Sequence, residues 1–530
     1  MSQNIAITLQ QQARVRPGQP AIIDTVRGQP RSTTFAVLAD HVARAVSFLD
    51  GFGLQPGDPV LVFQPMSLEL YVALIALFQR GSVAMFLDPS AGRAHIDRCC
   101  AMSPPKLFIG SAKAHLLRLL SPGVRKIPRK IVVDSEGGGW IPGAVRGSDA
   151  QKCPPSNATF NALPDSPALL TFTSGSTGQP KAALRTHGFL LAQHAALEKA
   201  LAMEAGAVDL TTLPIFVLSN LAAGVTSVIP NADLRKPGSI DPAPVFEQVR
   251  QYQPATSGAS PALFERLAAH HEATGEMLSS LRRIYTGGAP VFPRLMDRLA
   301  AAAPDAEIYA VYGSTEAEPI AHIGLSEISS ADRDAMVGGK GLLTGEPVEE
   351  IALRILPVRW GTPLGPFTKA EFDDLALRPN EPGEIVVSGN HVLKGYVNGT
   401  GDLETKFRVD GAVWHRTGDA GYRDGRGRVW LLGRCSARIE DENGVVYPFA
   451  VECAALEDAS VARAALIALD GKRLLVVEPA AKQSVDIDSL KSRLSWSHLA
   501  RVITIAKIPV DKRHNAKIDY PALVRLISRA

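Results

Sequence analysis

The sequence predicts an α/β multidomain chain, on three observations. At 530 residues it is too long for one hydrophobic core, so two or more domains are expected. Through roughly the first 300 positions short apolar runs alternate with amphipathic stretches, the rhythm of βα units over a largely parallel sheet. From about Gly345 shorter strand-like runs bounded by turns take over, as in PGEIVVSGNHVLKGYV and DGRGRVWLLGR. These point to an antiparallel sheet or small β-barrel closing a large N-terminal domain.

Residues 60–63, 68–78 and 83–87 read as one strand–helix–strand unit. The Gly-, Pro- and Ser-rich stretch 121–166, with Gly137, Gly138 and Gly139, reads as surface loops containing one strand. No internal repeat or low-complexity tract breaks the pattern. A boundary near Arg434 divides a large domain, 1–434, from a small α+β domain, 435–530.

Hydrophobic residues make up 46% of the chain, charged residues 21%, and the formal net charge is +3. That balance gives no bulk attraction to nucleic acid, and a small-molecule substrate is expected. Cys99, Cys100, Cys153, Cys435 and Cys453 lack CxxC spacing, which suits reduced thiols and a cytoplasmic location. The N-terminus has no basic start followed by an apolar run, and the best apolar stretch, 71–78, is too short to span a bilayer. No integral membrane segment is therefore expected.

The most informative segment is LLTFTSGSTGQPKAALRTHG, residues 169–188. An apolar strand runs into Thr173, Ser174, Gly175, Ser176, Thr177 and Gly178, followed by Pro180 and Lys181. Glycines between small hydroxyl residues leave backbone N–H groups uncovered, and the lysine adds a positive charge, so the loop suits a polyphosphate. The Walker spacing fails here, because Gly175 and Gly178 are too close and Ala182 follows Lys181.

This string resembles the phosphate-binding signature of the adenylate-forming (ANL) superfamily, which includes acyl-CoA synthetases, peptide-synthetase adenylation domains and luciferases. The likeness continues in order through YTGGAP (285–290), VYGSTEAEP (311–319), HRTGDAGYRDGRGRVWLLGR (415–434) and HNAKI (514–518). It implies a large domain of two βα sandwich-like subdomains plus a small β-barrel, and a mobile C-terminal domain that brings the catalytic lysine. It also implies an AMP-forming acid ligase that uses ATP as substrate together with Mg²⁺.

By the same resemblance, Thr173, Ser174, Gly175, Ser176, Thr177, Gly178 and Lys181 cradle the β and γ phosphates. Gly288, Ala289, Tyr312 and Gly313 border the adenine, and Asp419 accepts from the ribose hydroxyls with Arg434 beside it. Thr315 meets the α-phosphate or the substrate carboxylate, and Glu316 holds Mg²⁺. Lys517 bridges the attacking carboxylate and the α-phosphate. Neutralising charge along the triphosphate is what this displacement at phosphorus needs.

The chain departs from the superfamily pattern where the second half-reaction is set up. Ser436 stands at the usual acidic hinge, Glu440 where a lysine usually follows, and the next hairpin carries Glu440, Asp441 and Glu442 in a row. Like charges oppose a phosphate-rich thiol carrier by roughly 1 kcal/mol each in water. The altered hinge and lengthened hairpin resemble the olefin β-lactone synthetase subgroup, as do MEAGAVDLTTLPIF, GVTSVIP, GASPAL and PVDKRHNAKI. That implies activation of a fatty or β-hydroxy acid and closure to a β-lactone. The alternative is thioester formation on CoA or a carrier protein. Ala182–Ala183 and GNHVLKGYVN (389–398) look more like the wider superfamily. The apolar 213–224, with Phe216, Val217, Leu218 and Leu221, lines the acyl pocket by position. The resemblance also admits a complex with other biosynthetic enzymes.

Overall fold

The computed structural model describes residues 2–88, 92–133, 141–174, 180–511 and 517–529. The chain forms two compact units. One comprises Met1–Leu234, Asp241–Ala259 and Gly395–Gly401; the other comprises Arg235–Ile240, Ser260–Lys394 and Asp402–Ala530.

The first unit contains a seven-stranded sheet in the order Val145–Arg146, Arg129–Val133, Leu107–Ser111, Pro59–Phe63, Val83–Phe86, Pro167–Ser174, Pro180–Thr186. Every pairing is parallel except the last hairpin. The expected strand–helix–strand unit is present as Pro59–Phe63, Leu68–Arg80 and Val83–Phe86. Its helix starts where Ser67 accepts from the Leu70 N–H and stops at left-handed Gly81. The stretch read as loops holds more order than expected. Arg129–Val133 is an inner strand and Val145–Arg146 an edge strand. The former answers the one strand expected there, and the latter, two residues long, gives no pattern in the sequence. The second sheet of this unit runs Thr256–Ala259, Val208–Thr211, Thr226–Val228, Pro20–Val26, Gln29–Thr34.

In the second unit Arg283–Gly287 lies parallel to Glu307–Ser314. An antiparallel ladder follows through Ala317–Gly324, Leu342–Pro347, Val429–Arg434, Ala412–Arg423, Gly383–Gly389 and Ile351–Leu356. Among the described residues this ladder stays open, where a small closed barrel was expected. Beyond Arg434 come the hairpin Ile439–Asp441/Gly444–Val446 and a three-stranded sheet of Val461–Leu469, Lys472–Pro479 and Arg501–Thr504. Because side chains alternate across a strand, that sheet feeds two apolar clusters. One holds Leu466, Leu475 and Val477, the other Ala465, Ile467 and Val476.

Candidate active site

In the second unit, two parallel strands end side by side, with Gly287 opposite Val311. The C-terminal edge of parallel strands is where open α/β sheets bind ligands. Gly288 follows at φ +82 with open space where a side chain would stand, so backbone can approach a ligand closely. Half-buried Ala289 comes next. The neighbouring strand brings Tyr312 and Gly313, and its antiparallel register breaks between Tyr312 and Ser314. Thr315 and Glu316 form the turn into Ala317–Gly324. The turn is fixed by the Glu316 N–H donating to Ser314 Oγ (3.2 Å) and the Leu393 N–H donating to the Glu316 carbonyl (2.7 Å).

Asp419 is where the separate motifs meet. Tyr312 Oη–H donates to Asp419 Oδ2 at 2.8 Å, and Arg434 Nη1 donates to Oδ1 at 2.6 Å. Asp419 and Arg434 face each other across their antiparallel strands. Burial and the Asp419 charge hold the Tyr312 phenol well above its ordinary pKa, so it stays a donor. The carboxylate likewise raises the Arg434 pKa. The Asp419 N–H donates to Thr417 Oγ1 (3.0 Å), whose hydroxyl donates to the Ile385 carbonyl (2.8 Å). One residue earlier on this strand, Arg416 and Glu384 form a fully buried ion pair at 2.6 Å. Arg416 also donates to the Thr362 and Arg359 carbonyls. A buried pair this well satisfied fixes the strand that presents Asp419.

Sequence reasoning missed His415. It is buried, and its Nδ1 lies 3.1 Å from the Thr405 carbonyl, which can only accept, so Nδ1 carries the proton. Burial pushes its pKa down to about 3 despite the nearby negative charge of Glu316, leaving a neutral imidazole beside that carboxylate. Its place beside Arg416 in HRTGD was the available signal.

Lys517 is exposed and carried on a separate hairpin. Val510 pairs with Ile518, the Asp511 N–H donates to the Lys517 carbonyl (2.8 Å), and the Lys517 N–H donates to Asp511 Oδ1 (2.9 Å). Just after it, Tyr520 donates its Oη–H to Oε1 of buried Glu452 (2.6 Å), which also accepts from the Leu466 N–H (3.0 Å). His514, Asn515 and Ala516 lie outside the described residues.

In the first unit the backbone of Thr173 and Ser174 ends its strand opposite Lys181 and Pro180. Gly175, Ser176, Thr177 and Gly178 lie outside the described residues, as do the side chains of Thr173 and Ser174. Lys181 is only 8% exposed. Its ammonium stands 5.7 Å from the centre of the Tyr396 ring, and Tyr396 bridges to Ala183. Gly401, at φ +90, sits so close that a Cβ there would lie 2.5 Å from Lys181 Cε. The same unit packs Phe216 against Gly258, where a Cβ would meet the ring at 2.6 Å.

The acidic hairpin is less negative in structure than in sequence. Asp441 is gripped by buried Arg473 (2.6 and 2.7 Å), which also donates to the Gly444 and Ser497 carbonyls. Glu440 pairs with Arg438 at 2.9 Å.

Comparisons with known proteins agree with this geometry. An olefin beta-lactone synthetase from Stenotrophomonas maltophilia (strain K279a) is 33% identical over 97% of this chain and 96% of its own length. An indoleacetate–CoA ligase from Aromatoleum aromaticum (strain EbN1) is 28% identical over 86% of this chain and 83% of its own. In fold the chain is similar to an anthranilate CoA ligase crystallised with anthranoyl-AMP, with a TM-score of 0.82 at 16% identity, covering 99% and 98% of the two chains. The model of the AMP-binding enzyme family matches residues 9–397. The chain therefore belongs to the AMP-binding enzymes, and it is an AMP-forming acid ligase that activates a carboxylic acid with ATP.

Proposed function

We propose that the chain converts a β-hydroxylated fatty acid to its acyl-AMP and then closes that intermediate to a β-lactone, releasing AMP. The observation that carries this reading is the likeness to an olefin beta-lactone synthetase over 97% of this chain, which extends past residue 397. In the first step a carboxylate oxygen attacks the α-phosphorus and the bond to the β-phosphate oxygen breaks, releasing pyrophosphate. In the second, the β-hydroxyl oxygen attacks the acyl carbon, loses its proton, and AMP leaves with the bonding pair. Both reacting groups belong to one molecule, so the step needs orientation more than a new partner.

The roles follow from the side chains. Asp419 has lone pairs beyond those used by Tyr312 and Arg434, and these accept from ribose hydroxyls. Gly288, Ala289, Tyr312 and Gly313 border the adenine. Residues 173–178 with Lys181 hold the β and γ phosphates, and Thr315 orients the α-phosphate or the acid. Lys517 supplies the cation that lets carboxylate and phosphate approach, carried by a small domain over 435–530. Magnesium fits Glu316, because Mg²⁺ takes one or two carboxylates together with substrate phosphates. Among the described residues no cluster of three candidate ligands exists, and a single carboxylate beside the neutral His415 is such a donor. When bound, the ion would screen phosphate charge.

A second reading, thioester formation with CoA, is favoured by one finding. Arg473 and Arg438 offset two of the three hairpin carboxylates, which weakens the electrostatic case against a polyphosphate thiol. Purified protein with ATP, Mg²⁺ and a panel of β-hydroxy acids, with and without CoA, separates the two. AMP release without CoA and a product lighter than the acid by one water support the lactone. A thioester formed only with CoA replaces it. Lys517→Ala should cut acid-dependent pyrophosphate–ATP exchange by at least about 100-fold, yet leave turnover of a preformed acyl-AMP. Equal loss of both would remove Lys517 from the first step.

A further inference from the structure

Outside the active site, the strongest unexplained feature lies in the first unit between Leu107–Ser111 and Arg129–Val133. The turns Ala114–Leu116 and Leu117–Leu120 have two faces. Ala114 and Leu117 pack on the core cluster around Phe108 and Ile127. Leu116, Leu119 and Leu120 face out, 59%, 73% and 59% exposed. Their spacing of three and four residues places them on one helical face. Three protruding leucines on so short a segment are more apolar surface than a lone exposed residue explains.

The charge around them is one-sided. Between residues 98 and 133 the sequence holds Arg98, Lys106, Lys113, Arg118, Arg125, Lys126, Arg129 and Lys130, and no Asp or Glu. Arg125 donates to the Arg118 and Leu119 carbonyls, which holds its guanidinium at the end of the leucine turn. Lys113, Arg125, Lys126 and Arg129 are exposed. Among the described residues, none of Lys113, Arg118, Arg125 and Lys126 pairs with a carboxylate. Apolar side chains that can enter an acyl boundary, with unpaired cations within a turn, match a bilayer interface bearing anionic headgroups. No helix among the described residues is long and apolar enough to cross a membrane, so the contact is peripheral.

We propose that the Leu116, Leu119 and Leu120 face, rimmed by Lys113, Arg118, Arg125 and Lys126, docks this chain reversibly on an anionic lipid bilayer. The test is flotation of the full chain with phosphatidylcholine vesicles and with equimolar phosphatidylcholine–phosphatidylglycerol vesicles. The protein should float with the mixed vesicles only, and less as salt rises. Leu119→Ser/Leu120→Ser should lower partitioning by about tenfold or more per leucine, and Arg125→Gln/Lys126→Gln by about fivefold per charge. The thermal midpoint and circular dichroism of each variant establish that it is folded. Because the two variants alter different chemistry, loss of fold in one leaves the other decisive. The proposal is overturned if wild-type protein stays with the soluble fraction, or if both folded variants float as well as it does. It is equally overturned if wild-type protein is a dimer that Leu119→Ser/Leu120→Ser dissociates while vesicles bind neither form, since the face would then join two copies.

Discussion

Asp419 receives Tyr312 on one oxygen and Arg434 on the other, so replacing either oxygen by an amide NH₂ sets donor against donor. Asp419→Asn should lower kcat/KM for ATP by about 10- to 100-fold, the cost of losing hydrogen bonds to a charged group. Steady-state kinetics at varied ATP will show it, and an unchanged value would take Asp419 out of the nucleotide site. Gly401 gives a second prediction, because a methyl group there meets the Lys181 tip and the backbone lies at φ +90. Gly401→Ala should raise KM for ATP about tenfold and lower stability by about 1–2 kcal/mol, with KM for the acid nearly unchanged. At this scale the sequence was legible where residues sit in ordered motifs: Tyr312, Asp419 and Arg434, named from three separate positions in the chain, meet through hydrogen bonds. It was mute about Tyr396 and Gly401, and about Arg473 gripping Asp441, because these pairings join residues far apart in sequence and carry no local spacing.

Glu452 ties three elements of the C-terminal region together. It sits in the helix Pro448–Leu456 and accepts from strand Val461–Leu469 and from the first residue of helix Tyr520–Ile527. Burial pushes its pKa from 4.5 up to about 7, against the smaller opposing effect of its two donors. The folded chain therefore holds this proton over a pH range in which the unfolded chain has released it. Stability should fall as pH rises from about 4.5 to about 7, by about 3 kcal/mol from this group, and then level off. Glu452→Gln keeps an acceptor for Tyr520 but cannot titrate, so its urea unfolding should lack that slope. Identical slopes in the two proteins would mean that other groups set the dependence. Alternation and turn residues made the ladder's antiparallel character legible in PGEIVVSGNHVLKGYV and DGRGRVWLLGR, which carry Gly383–Gly389 and Val429–Arg434. Of the two strands within 121–166 one was expected, and the edge strand Val145–Arg146 escaped because two residues give too short a pattern to separate from loop. The barrel expected here is an open ladder among the described residues, because strand sequences record which face is apolar, not whether the first and last strands meet.

Over the whole molecule the formal charge of +3 conceals a strong imbalance, because the eight basic residues between 98 and 133 leave the rest of the chain at −5. Adsorption to a cation exchanger at neutral pH should then depend on this one segment. Arg125→Glu/Lys126→Glu should elute at markedly lower salt than Lys472→Glu/Lys482→Glu, which changes the net charge equally. Coincident elution would show that only the total matters. A segment so charged attracts a negatively charged wall before touch, which raises the share of collisions that begin at that segment. Encounter frequency would then fall as ionic strength rises, together with the partitioning itself.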